Sequence, residues 1–203
     1  MYIDKRYFVP SMSQVHELSA QKKFNVFSCF AGMGGSSTGY RMAGGNILAI
    51  NEFMKPARSL YHSNYPHTKI FPDDIRQLTG KQILNGIGLN KGELDVLDGS
   101  PPCAAFSLAG LRDKAWGKEK KYSGTTQRVD DLFFEFSRIL KELQPKTFIA
   151  ENVKGLTIGE SKKLLGGKTK SIKSFLKGYK TSKEDETIIN SLRACFVTFS
   201  PRK

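Results

Sequence analysis

From Phe24 onward, short apolar runs alternate with glycine turns and amphipathic stretches. FNVFSCF (24–30) is apolar and rich in aromatic and β-branched residues, which predicts a buried strand. AGMGGSS (31–37) cannot continue it. TGYRMAGG (38–45) predicts a short helix closed by two glycines, and ILAINE (47–52) a second strand with an acid at its end. Residues 54–64 read as helical, KIFPDDI (69–75) as a short strand and an acidic turn, and LDVLDG (94–99) as a strand running into SPPCAAFS. Residues 104–128 are polar, basic and glycine-containing, and predict a long loop. Leu132, Phe133, Phe136, Ile139, Leu140 and Leu143 recur at helical spacing, stopping at Pro145. TFIAENV (147–153) predicts the next strand. This alternation predicts an α/β fold with a parallel sheet. Ligands of such sheets bind beyond the carboxyl ends of the strands, where AGMGG, Glu52, Asp74, PPC and ENV all fall.

Composition narrows the class. At 39% hydrophobic and 25% charged residues, the chain is neither a disordered tail nor a collagen. No apolar run approaches the roughly 20 residues that span a bilayer, so no membrane partner is expected. The first residues, MYIDKRYFVPSMSQ, lack the apolar core of a secretory signal. Cys29, Cys103 and Cys195 are widely spaced and suggest no disulfide framework, so a cytoplasmic location is expected. His16, His62 and His67 show no ligand spacing, and no metal is expected. The net charge of +13 fits a polyanionic partner such as nucleic acid, or simply a soluble basic surface. Twelve basic against four acidic residues after residue 153 place much of that charge in the last quarter of the chain.

Three segments carry chemistry. Phe30-Ala-Gly-Met-Gly-Gly35 lies between a strand and a helix, where glycines let the backbone turn and approach a ligand. Glu52 follows at the end of the next strand, placed to accept hydrogen bonds from ribose hydroxyls. Together they suggest a nucleoside-containing cofactor; the alternative is a turn that merely permits tight strand–helix packing. The glycines crowd too closely for a dinucleotide fingerprint, and no Gly-Lys-Ser/Thr follows as in a phosphate-binding loop. In Asp98-Gly-Ser-Pro-Pro-Cys103, two prolines fix the backbone before a cysteine at a strand end, where backbone N–H groups favour the nucleophilic thiolate. Cys29 and Cys195 lie in apolar segments and read as inert. Glu151 ends a strand; such an acid is either solvated or, beside a nucleophile in an apolar site, a proton donor.

FSCFAGMGGSSTGYRMAG, ILAINE, DDI, DGSPPCAAFS and FIAENVKGL, in that order from about Phe24 to Leu156, resemble the motifs of DNA (cytosine-5) methyltransferases. The resemblance implies a Rossmann-like, mostly parallel, S-adenosylmethionine-dependent methyltransferase sheet with helices on both faces. It implies methyl transfer to C5 of cytosine in DNA through a covalent adduct between Cys103 and C6, in a restriction-modification or phage modification system. Glu151 then matches the acid at the N3 edge, and Asn152 the residue that helps position the catalytic loop. Phe30, Gly32, Met33, Gly34 and Gly35 match the cofactor's glycine loop, Glu52 its ribose ligand and Phe53 its adenine neighbour. Asp74 and Ile75 match adenine-edge contacts, and Pro102 and Leu132 further lining residues. Double-stranded DNA is the implied partner, with base flipping. Ser107, Arg112, Lys114, Lys118, Lys120, Lys121 and Arg128 in the basic loop are its expected contacts. Trp116 in the same loop either packs against DNA or anchors the loop.

The departures are specific. Ala104 stands where the family often has Gln, and no Gln-x-Arg-x-Arg segment follows Glu-Asn-Val. The target-recognition domain is absent, which points to a truncated chain, inactive alone, or to a complementing subunit carrying the arginines and the recognition region. A non-catalytic DNA- or cofactor-binding remnant and a transfer-RNA cytosine-5 methyltransferase are the alternatives. FVPSMSQVHEL (8–18) is weakly similar to the family's closing segment, as in circularly permuted members. Residues 7–22 are therefore expected to form a helix beside the glycine loop. The expected division is 1–23 as an extension, 24–160 as the catalytic domain and 161–203 as a basic C-terminal segment.

Overall fold

In the computed structural model, the described residues are 10–102, 120–122, 125–127 and 132–151. Five strands form one parallel sheet: β1 (Phe24–Cys29), β2 (Gly45–Asn51), β3 (Lys69–Phe71), β4 (Val96–Gly99) and, after the hairpin below, β7 (Thr147–Ala150). Their order is β3-β2-β1-β4-β7, so the winding reverses between β1 and β4. An open α/β sheet of this kind has its ligand crevice outside that reversal. Both the glycine loop after β1 and the Pro-Pro turn after β4 leave the sheet there.

Each face carries its own apolar cluster, as expected for a sheet covered on both sides. On one face Val26, Ile47, Ile50 and Val96 pack with Val15 of α1 (Met12–Ser19) and with Tyr61 and Tyr65 at α3 (Lys55–Asn64). On the other, Phe27, Cys29, Ala49 and Leu97 pack against α4 (Gly80–Ile87) and α5 (Leu132–Leu143). Ile47 and Ile50 share a face although three residues apart, because the pairing skips one β2 residue: Val26 sits opposite Ile47 and Phe27 opposite Ala49. Leu48 is the extra residue of a bulge, and it changes which side chains of β2 face which layer.

The structure amends the expected elements in three places. The helix expected from Thr38 begins at Gly35, giving α2 (Gly35–Met42). The expected loop 104–128 contains a two-stranded hairpin, β5 (Lys120–Tyr122) antiparallel to β6 (Thr125–Gln127). Helix α4 was not read from the sequence. Its mark is a capping box, in which the Thr79 side chain accepts from the Gln82 N–H and the Gln82 side chain accepts from the Thr79 N–H. Among the described residues, no helix is long and apolar enough to cross a membrane.

Candidate active site

The loop after β1 is built on left-handed backbone. Phe30, Gly32 and Gly34 have φ of 54°, 56° and 97°. A non-glycine residue there is uncommon and strained, and such residues collect at functional sites. The glycines serve different ends. A Cβ at Gly32 or Gly35 would meet nothing within 4 Å, whereas at Gly34 it would come 3.0 Å from the Tyr61 ring and 3.1 Å from that of Tyr65. Gly34 is thus required by packing, and Gly32 borders open space. Gly34 then caps α2 without a side-chain bond, leaving first-turn amides available to a ligand or water.

Glu52 emerges from β2 with 8% of its surface exposed. Its Oε2 accepts from the Gly32 N–H at 2.8 Å and its Oε1 from the Met54 N–H at 2.7 Å. One carboxylate therefore ties the glycine loop to the entrance of α3. A carboxylate has about four acceptor positions, so two remain. Asp74 follows β3 and accepts from the Arg76 N–H at 2.9 Å; the Arg76 guanidinium closes an ion pair with it at 2.8 Å. Asn51 fixes this turn by donating to the carbonyls of Phe71 (3.1 Å) and Asp73 (2.9 Å). Arg138 of α5 braces its far side, donating to the Ile75 and Leu78 carbonyls at 2.7 and 3.0 Å while paired with Glu135 and Glu142.

These segments converge on a cleft with about 170 Å³ of space open to water molecules. Phe30, Phe53, Ile75, Pro102 and Leu132 give it apolar walls; Glu52 and Asp74 supply acceptors. Seven of the eleven residues expected at a cofactor meet here. Gly32, Met33, Gly34 and Gly35 do not line the cleft, though Gly32 reaches it through Glu52. Asn51, Met54, Arg76 and Ser100 also line it and were not anticipated, having no pattern of their own in the sequence.

The model of the C-5 cytosine-specific DNA methylase family matches residues 24–192, most of the chain. The chain belongs to that family.

Among relatives of this methylase-family chain, the Type II methyltransferase M.Sau96I of Staphylococcus aureus is 33% identical over 159 residues, covering 78% of this chain and 34% of that protein. M.NgoPII of Neisseria gonorrhoeae is 34% identical over 131 residues, 64% of this chain and 33% of that one. The chain thus spans about a third of the length of these two relatives. A solved DNA modification methyltransferase encoded within an E. coli prophage has 26% identity and a TM-score of 0.55, covering 71% of this chain and 36% of that structure.

In this methylase-family chain, Asp98 of β4 is 4% exposed and accepts from Ser28 Oγ at 2.6 Å and from Tyr40 OH at 3.0 Å. Burial pushes its carboxyl above the usual range and the nearby Glu151 adds to this, against the pull of the two hydroxyls. Asp98 was read only as part of the Asp-Gly-Ser-Pro-Pro-Cys run, and its burial was not legible. Cys29 is 1% exposed and its thiol is pushed up, first by burial and then by Asp98, which disfavours the thiolate. Glu151 is exposed at the end of β7, its N–H donating to the Gly99 carbonyl at 3.0 Å. Cys103, Asn152, Ser107, Arg112, Lys114, Lys118, Arg128, Trp116 and Cys195 lie outside the described residues. Lys120 and Lys121 belong to β5. Among the described residues, no group of three His, Cys, Asp or Glu could hold a metal ion.

Proposed function

We propose that this chain binds S-adenosylmethionine in the cleft at the winding reversal and takes part in methylating C5 of cytosine in DNA, with Cys103 as nucleophile. The observation that carries this reading is the convergence of Glu52, Asp74, Ile75 and Pro102 on one cleft in a chain of the cytosine-5 methylase family. The residues fit the group. Glu52 keeps two free acceptor positions for a ribose diol, and the apolar walls suit a flat heterocycle. The uncapped start of α2 offers donors to a carboxylate.

The bound cofactor would supply a methyl group made electrophilic by its sulfonium. The chain's residues make cytosine able to take it. C5 is a weak nucleophile until the Cys103 thiolate adds to C6, which turns the C5–C6 edge into an enamine. Glu151 holds the proton at N3 that this addition requires. After methyl transfer, loss of the C5 proton and expulsion of the thiolate restore the ring and regenerate the free cysteine. The Type II names of the relatives support a restriction-modification setting for this chemistry.

The test is transfer of a labelled methyl group from S-adenosylmethionine to unmethylated mixed-sequence DNA, by the chain alone and with added methyltransferase fragments that carry the remaining motifs. Incorporation in either arm that drops by at least about 10³-fold in Cys103→Ser supports the reading. Incorporation unchanged in Cys103→Ser would sink it. Calorimetric titration with S-adenosylhomocysteine tests the cofactor site by itself.

A further inference from the structure

The glycine loop rests on a buried cation. Arg41, at the end of α2, is 5% exposed. Among the described residues its partners include no carboxylate. It donates to Tyr61 OH at 3.3 Å and to Thr68 Oγ1 at 2.6 Å, and its guanidinium lies 3.9 Å from the centroid of the Tyr65 ring. Tyr61 and Tyr65 are themselves in ring contact, with centroids 5.2 Å apart. These same rings are what a Cβ on Gly34 would strike. Further hydroxyls close the stack. Tyr61 OH donates to Ser37 Oγ at 3.1 Å, Thr38 Oγ1 meets Tyr65 OH, and Thr38 Oγ1 donates to the Gly34 carbonyl at 2.9 Å.

Burying a guanidinium without an acid is costly, so the arrangement needs a return. The Tyr65 face supplies a cation–π contact, and the Tyr61 and Thr68 hydroxyls accept from the guanidinium. These contacts join Arg41 to the two rings that abut Gly34. We propose that Arg41 is a positioning residue for the cofactor loop: through Tyr61 and Tyr65 it holds Gly34 in its left-handed conformation, and so sets where the Gly32 amide and the first amides of α2 point. A planar guanidinium stacks on one ring while its edge bonds two hydroxyls in a fixed geometry, which the compact ammonium of lysine does not reproduce.

This rests on the cofactor reading for its ligand but not for its first readout. In Arg41→Lys, amide hydrogen exchange in the ligand-free chain should quicken by at least about tenfold at the hydrogen-bonded amides of Gly32, Gly34 and Thr38 while α4 and α5 keep their protection. S-adenosylhomocysteine should then bind about tenfold more weakly at a temperature where the variant is fully folded. Thr68→Val, which keeps the arginine but removes one acceptor, should shift both readouts the same way by less. Exchange at the Gly32, Gly34 and Thr38 amides that matches the parent in a folded variant overturns the proposal, as does quickening spread evenly over the domain. Should Arg41→Lys fail to fold, the same exchange criterion applied to Thr68→Val decides. Should the parent bind no S-adenosylhomocysteine, the cofactor reading falls and the exchange result still decides the role of Arg41.

Discussion

Two carboxylates stand at the ends of parallel strands in this chain, and their surroundings differ. Glu52 is buried and both its oxygens are engaged by backbone amides; Glu151 is exposed, anchored to its neighbour strand through its N–H. The first is part of the architecture as well as a candidate ligand for a diol. The second is positioned by the backbone and has its carboxylate exposed. A group held by the fold that still has acceptor positions to spare contributes to stability and to binding together. A group anchored only at its backbone contributes to chemistry with little effect on folding. The Glu52 side is therefore a folded framework that includes the proposed cofactor site. Glu151, the proposed proton donor, is a group set on a strand end.

The largest test of this contrast is a double dissociation. Glu151→Gln should leave stability within about 0.5 kcal/mol of the parent in urea unfolding. It should lower methyl transfer by about 10²–10⁴-fold in whichever arm shows activity. Glu52→Ala removes the carboxylate that accepts from the Gly32 and Met54 amides, so it should cost about 2–4 kcal/mol of stability in the same unfolding experiment. It should also weaken S-adenosylhomocysteine binding. A stability loss in Glu151→Gln as large as that in Glu52→Ala would erase the distinction.

Within the glycine loop the contrast sharpens. Gly34→Ala meets both a positive φ of 97° and the Tyr61 ring, and should cost about 2–4 kcal/mol by denaturant unfolding. Gly32→Ala meets open space and should cost about 1–2 kcal/mol, from its backbone alone. Its main effect should be on ligand affinity. Removing residues 1–22 takes away α1 and the fully buried Val15, a loss of about 1.5–3 kcal/mol in apolar burial next to Tyr61 and Tyr65. Cofactor affinity should fall with it; unchanged affinity would detach that helix from the site.

The smallest effect is a matter of pH. The Asp98 carboxyl is raised by burial, so between the usual carboxylate range and its raised value the folded chain keeps a proton that the unfolded chain has lost. Stability from this group is present at low pH and is lost as pH rises through that window. Asp98→Asn should flatten the decline, read as urea midpoints from pH 4 to 8. An unaltered slope would mean the carboxyl is not the group responsible.

The sequence already displayed much of the sheet, because β1, β2 and β4 are largely buried and so read as short, mostly apolar runs. Helix α5 was legible from its stripe. The hairpin β5–β6 was not, since KKY and TTQ carry no apolar alternation; its visible trace was the Ser123-Gly124 pair between them. Helix α4 hid behind Gly80, Gly86 and Gly88, residues that speak against a helix interior. Structure explains Gly80, which lies against the Cβ of Glu142, and Gly88, which closes the helix with φ 71°. At the cleft, residues that sit in motifs were found. Asn51, although inside ILAINE, and Arg76 and Arg138, outside the motifs, were not, because they act by bracing turns, and bracing depends on three-dimensional neighbours that no local pattern reveals.

The bulge at Leu48 bears on how this chain tolerates change in length. Side chains in a strand alternate with a period of two, so the strand has a phase. Leu48 advances that phase by one residue just before Ile50 and Glu52. A β2 of the same length without the bulge would turn Ile50 and Glu52 toward the opposite layers, whereas loss of Leu48 alone would restore one-for-one pairing and leave them in place. Chimeras that graft β2 from another protein must therefore inherit its phase as well as its residues. The pairing of Ala49 with Phe27, rather than the residue count from Gly45 to Glu52, is the constraint.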